Sequence, residues 1–230
     1  ETNSMQSNKA TINRIIEEAK GSIAFLNLES CIRGYAVLWR KGIARYKVDV
    51  KGKSIHASRC ASNCANAILE AAHKIIEFEK FKNVEGITCN CGIINGGTSP
   101  NTVPDNCSFI AEYRFYTVQE FEHLDKVTKE IVEKSFVDGT TSTVERVGYR
   151  PAMEKCDRNF DLLKKMNEIY KNVGLPELTA RLSLGGSDAA DITVAGIPCI
   201  DSIGVTGDFI HTVKEFAYLE SLNEAAKRIA

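Results

Sequence analysis

Three side chains stand where a strand end could project them into a site. Glu29 ends the apolar run FLNLE, His56 follows a strongly patterned segment in VKGKSIHAS, and His211 lies in GVTGDFIHTVKEF after another apolar run. Sites in α/β proteins assemble at the carboxyl ends of strands. A carboxylate and an imidazole delivered there suit zinc, but such a centre takes three or four ligands, so spacing alone leaves it open. Gly185, Gly186, Ser187 and Asp188 form a strand-to-helix turn. Its amides could hold an anionic substrate group, or Ser187 could simply cap the helix that follows. Arg114 shares a strand face with Ser108 and Glu112, opposite Cys107, Phe109, Ala111, Tyr113 and Phe115. It reads either as an ion-pair partner beside Glu112 or as a bidentate clamp on a substrate carboxylate.

Other chemistry-bearing residues have plainer readings. His73 and His123 fall inside helical patterns, and the HxD of His123 and Asp125 has no companion ligands nearby in sequence. The eight cysteines include no CxxC pair, so a structural zinc knot is not expected and all eight are read as free thiols. Cys89 and Cys91 alternate along one strand face, as small core residues would.

The elements that must position these residues follow from periodicity. Residues 9–20 place Ile12, Ile15, Ile16 and Ala19 on one helical face, and a strand through Phe25, Leu26 and Leu28 reaches Glu29. From Ile43 to Val50 apolar and polar residues alternate strictly, the pattern of a sheet with one wet face. Ala65, Ile68, Leu69, Ala72, Ile75 and Ile76 form a helical stripe. Strands at 87–94 and 107–116 flank the turn-rich NGGTSPNTVPDN. Thr117 with Glu120 makes a capping box for a helix, and TSTVERV is a last strand. The order βαββαβ over residues 42–149 predicts a ferredoxin-like α+β domain, inserted into an α/β domain built from residues 1–41 and 150–230. A helix over 162–173, a buried strand in GIPCIDSIG and a closing helix on Leu219, Leu222, Ala225, Ala226 and Ile229 complete the second part.

Composition narrows the partners. The 230 residues carry 29 Lys plus Arg against 30 Asp plus Glu, a net charge of -1. That balance removes the field needed for non-specific nucleic-acid or anionic-membrane binding and leaves small substrates open. No apolar stretch is long enough to span a bilayer and the first residues lack a secretory pattern, so a cytoplasmic location is expected.

Taken together, FLNLES, YKVDVKGKSIHAS with the following NCANAILEAAHKI, GIINGGTSPNTVPDNCSFIAEYRFYT, GGSDAADITVAGIPCIDSIG and FIHTVKEF resemble the co-catalytic zinc peptidase and deacylase family. That family contains glutamate carboxypeptidase, acetylornithine deacetylase, succinyl-diaminopimelate desuccinylase and the aminoacylases, and the glutamate carboxypeptidase branch is the nearest. The resemblance implies hydrolysis of a peptide or N-acyl amino acid by a water bridging two zinc ions. It implies Glu29 and His211 as ligands of different ions, and His56 as an oxyanion-stabilising catalytic residue in a partner's active site. Asn101 and Arg114 would bind the substrate carboxylate there, the turn Gly185, Gly186 and Ser187 would line the pocket, and the insert would be a lid through which a homodimer forms.

The family's own HxD motif, bridging aspartate and Glu-Glu pair have no counterpart in this sequence, unless Glu1 is the last residue of that pair and so a further metal ligand. The expectation is therefore a piece of a zinc hydrolase that is itself inactive and holds little zinc. Two alternatives stand beside it: a catalytically silent dimerisation or binding module derived from the family, and a cysteine-based metal or redox protein.

Overall fold

The computed structural model describes residues 9–60 and 62–230. In chain order the first elements are α1 (Lys9–Ala19), β1 (Phe25–Asn27), β2 (Tyr35–Arg40), β3 (Gly42–Lys51) and β4 (Ile55–His56). They are followed by α2 (Ala67–Glu79), β5 (Thr88–Gly96), β6 (Thr102–Val103), β7 (Asn106–Phe115), α3 (Val118–Glu133) and β8 (Thr141–Arg150). The last are α4 (Asp157–Asn172), β9 (Thr179–Ser183), α5 (Ala189–Val194), β10 (Cys199–Asp201), β11 (Gly207–Asp208), β12 (Phe216–Ala217) and α6 (Leu219–Ile229). Two compact units result, one of Ile43–Tyr149 and one joining the described residues up to Gly42 with Arg150–Ala230.

In the discontinuous unit a mixed four-stranded sheet has the order β1-β10-β2-β9, with β1 parallel to β10 and β2 parallel to β9. Successive residues of β10 serve opposite faces, as strand geometry requires. Cys199 packs with Ala19, Met153, Ala189 and Ile192, while Ile200 packs with Leu38, Leu163, Met166 and Tyr170. Helices thus cover both faces of the sheet. Two expectations change here. Strand β2 was not anticipated, because Ala36, Val37 and Leu38 are all buried and show no alternation. The closing helix α6 exists, but Leu219, Leu222 and Ile229 of its apolar stripe are exposed. Its inward face is instead set by Ala225 and by Arg228, whose Nη1 donates to Pro176 O at 2.8 Å.

The continuous unit is a four-stranded sheet of order β5-β7-β3-β8, the strand order of a ferredoxin-like βαββαβ domain. Every apolar residue predicted for the inner face of β7, from Cys107 to Phe115, is buried. Helix α3 starts at the expected capping box of Thr117 and Glu120. A buried ion pair ties the helices: Lys74 Nζ lies 2.9 Å from Glu70 Oε1 and also donates to the carbonyls of Ile131, Val132 and Lys134 at 2.6–3.0 Å. Glu70 Oε2 accepts from the amides of Phe136 and Val137. One ammonium thus satisfies carbonyls left open at the end of α3, and its carboxylate partner holds the next loop.

The expectation of eight free thiols is corrected: Cys60 and Cys64 form a disulfide with Cα atoms 5.9 Å apart, and the other six are free. A CxxxC spacing in a loop between elements carries no sequence pattern that distinguishes a disulfide from two thiols. Among the described residues no helix is long and apolar enough to cross a membrane.

Candidate functional site

In the discontinuous unit, β1 ends at Asn27, so Glu29 lies two residues beyond the strand, exposed at its carboxyl edge. Its backbone is fixed against the loop after β10: Glu29 O accepts from Gly204 N at 3.0 Å, and Cys31 N donates to Val205 O at 2.9 Å. The approach demands glycine, since a Cβ at residue 204 would sit 2.1 Å from Leu28 O. From that loop the chain runs into the β11–β12 ribbon, whose connection carries His211. His211 is exposed at φ +66°, Phe209 is at φ +56°, and His211 N donates to Glu215 Oε2 at 3.0 Å. Two non-glycine residues held in the left-handed region within one loop cost energy that ordinary loops avoid, a feature that concentrates at functional sites.

Beneath these loops is a buried polar network that sequence reasoning missed. Arg40, at the end of β2, places Nε 2.5 Å from Asp201 Oδ2, Nη2 2.7 Å from Ser202 Oγ and Nη1 3.0 Å from Gly185 O. Asn27 Nδ2 donates to Asp201 Oδ1 at 3.0 Å and to Ser187 Oγ at 2.9 Å. The only sequence signal was a cation closing the apolar run of β2, which reads equally as a surface arginine. The network ties Gly185 and Ser187 into the scaffold. Gly185 and Gly186 are exposed, whereas Ser187 is buried, and its Oγ also accepts from Ala189 N at 3.3 Å. Asp188 is paired with Arg150 at 2.9 Å. Burial raises the carboxyl of neighbouring Asp191 to about 6, with Arg150 opposing and Asp188 reinforcing the shift.

In the continuous unit, β4 pairs antiparallel with β6, setting His56 opposite Thr102, and Ala57 N donates to Asn101 O at 2.9 Å. His56 and Asn101, far apart in sequence, therefore stand side by side and exposed. His56 Nδ1 accepts from Ser58 N at 3.3 Å and lies 2.7 Å from Ser58 Oγ. With Nδ1 an acceptor, the neutral tautomer carries its proton on Nε2. Arg114 sits elsewhere. It lies eight residues along β7 from Asn106, roughly 27 Å at strand rise, so within one chain it and Asn101 stand toward opposite ends of that strand. Its Nε donates to Glu112 Oε1 at 2.8 Å, and Glu112 in turn receives Arg45 Nε at 2.6 Å. These two cations hold the Glu112 carboxyl below the usual range against the opposing effect of burial. Of the two readings of Arg114, the ion pair is the one formed.

The donors fall short of a complete zinc centre. Glu29 and His211 are the right types, yet among the described residues neither belongs to a cluster of three metal-capable side chains. Glu1 lies outside the described residues. No step through a metal is therefore derived from this chain. His123 and Asp125 make no metal pair: His123 packs edge-on against Phe81, and Asp125 accepts from Tyr46 Oη and Lys129 Nζ at 2.6 Å. Among the described residues the one such cluster is Glu79, Cys89 and Cys91, in the continuous unit.

Comparison with known proteins follows the same outline. Residues 38–140 match the peptidase dimerisation domain family. The chain is 27% identical over 206 residues to carboxypeptidase G2 of Pseudomonas sp. (strain RS-16), covering 87% of this chain and 49% of that protein. It is also 27% identical to the uncharacterised protein YqjE of Bacillus subtilis, covering 81% of this chain and 50% of that protein. The chain thus spans about half the length of the curated relatives it matches. Among solved structures, aminopeptidase PepT of Bacillus cereus superposes with a TM-score of 0.79 at 22% identity, over 98% of this chain and 60% of that one. A tripeptidase of Staphylococcus aureus gives 0.79 at 26% identity, over 95% and 58%.

Proposed function

We propose that this chain, whose residues 38–140 match the peptidase dimerisation domain family, is the dimer-forming and substrate-gripping part of a zinc-dependent amide hydrolase. The substrate class is a peptide or N-acyl amino acid with a free carboxylate, as for a carboxypeptidase. Glu29 and His211 would each supply one ligand to a different zinc ion, with Glu1 as a further ligand from this chain and the remaining ligands from the rest of the whole protein. When bound, two zinc ions activate water and polarise the amide carbonyl.

The residues of this chain bind and orient. His56 Nε2–H donates to the developing oxyanion in a second copy's site, and Asn101 holds the substrate carboxylate. Arg114 of the other copy meets the same carboxylate when its pair with Glu112 opens, and Gly185 and Gly186 line the pocket over the buried Ser187. The observation supporting this reading is the juxtaposition of His56 and Asn101 on the β4–β6 ribbon. The same incomplete ligand set favours a second reading, a catalytically silent dimerisation module. The six free thiols fit a cytoplasmic location, whereas the Cys60–Cys64 disulfide fits an oxidising one.

A panel of dipeptides and N-acyl amino acids, each paired with its carboxamide, separates the two on the protein extended to its relatives' length and supplied with zinc. The hydrolase reading expects cleavage of the acids over the amides by about tenfold or more. It also expects that preference to shrink in Asn101→Ala. Absence of cleavage across the panel supports the silent module.

A further inference from the structure

We propose that the lid carries a metal site of its own, formed by Glu79, Cys89 and Cys91, that takes one thiophilic divalent cation such as zinc, independent of the centre to which Glu29 and His211 contribute. The three ligand atoms all lie within 4.8 Å of one another. Their placement is built into the fold. Cys89 and Cys91 alternate along β5, in register with Tyr113 and Ala111 of β7 and on the face they share with them, and Glu79 closes α2 above them. A register shift at Gly92 follows Cys91 directly, a bulge of the kind that re-aims a neighbouring side chain. The carboxylate is oriented from behind: Cys91 N donates to Glu79 Oε1 at 2.7 Å, the sort of support metal ligands receive from their surroundings. The partial negative charge at the end of a helix adds to the pull on a cation.

Two thiolates and one carboxylate with a fourth position open to water make a tetrahedral set suited to zinc or cadmium and foreign to magnesium or calcium. Cys89 is buried, while Cys91 and Glu79 reach solvent, so an ion has an entry path. At present Lys82 Nζ pairs with Glu79 and stands where the cation would supply its charge. The groups facing the thiols are Glu79, Lys82 and Tyr113. Thiols bind such an ion as thiolates, so binding one M²⁺ releases two thiol protons to solvent and displaces the Lys82 ammonium from Glu79.

The test is a cadmium titration of the full 230-residue chain carrying Cys60→Ser and Cys64→Ser, under a non-thiol reductant, reading sulfur-to-cadmium charge-transfer absorption and proton release. Expected are saturation at one equivalent, about two protons released, and bleaching of the band by added zinc. Adding Cys89→Ser with Cys91→Ser abolishes the band, and adding Glu29→Gln with His211→Asn leaves it. Glu79→Gln provides a second arm that spares the buried thiol: the band persists and affinity falls by about tenfold or more. No band in the parent chain overturns the site, as does a band that survives loss of both thiols or unchanged affinity in Glu79→Gln.

Discussion

Asp191 shows how a single buried carboxyl reports on the scaffold below the candidate site. Its pKa of about 6 lies above the ordinary value because burial penalises the charged form, an effect Asp188 strengthens and Arg150 resists. The folded state therefore binds the proton more tightly than the unfolded one. The stability this contributes is full below about pH 4 and is lost as pH rises to about 6. Asp191→Asn should raise the thermal midpoint at pH 7.5 and lose that advantage at pH 4, as scanning calorimetry at the two pH values would read. Residues of this kind were poorly legible in the sequence. Glu29, His56 and His211 stood out because each follows a strand pattern, whereas Arg40 and Asp201 have nothing local to separate a buried ion pair from two surface charges. Their partners lie 161 positions apart.

At the scale of elements, the lid was read almost whole from its sequence, since strict alternation in β3 and β7 and the capping box of α3 are local signals. The discontinuous unit was harder. Strand β2 is buried on both faces and so shows no alternation, and α6 turns its stripe outward because Arg228 finds the Pro176 carbonyl and the Glu224 carboxylate, partners that leucines could not use. The joint between α2 and α3 depends on Lys74, whose ammonium meets one carboxylate and three carbonyls in a fully buried position. Lys74→Ala leaves Glu70 buried without its counter-charge, and a loss of about 3–5 kcal/mol is expected. Urea unfolding should show it as a lower midpoint, and a Glu70→Gln/Lys74→Met pair should recover a good part.

For the whole molecule, the lid has a sheet edge available for pairing. Strand β5 lies at one end of the β5-β7-β3-β8 order, and Ile93 and Ile94 on it are about half exposed, at 52% and 51%. Ile68, Leu69 and Ile76 of α2 are exposed as well. An apolar edge strand invites a second copy, and a family match to a dimerisation domain agrees with that use. Ile93→Asp combined with Ile94→Lys should shift the protein from dimer to monomer in multi-angle light scattering while leaving the far-ultraviolet circular dichroism unchanged.

The oxyanion role proposed for His56 would join dimerisation to chemistry, so its removal tests the account most directly. Steady-state hydrolysis of an N-acyl amino acid by the zinc-supplied protein extended to its relatives' length should show kcat lower by about 10²–10³ in His56→Ala, the usual loss for one oxyanion donor, with KM nearly unchanged. A kcat equal to that of the unaltered protein would contradict it.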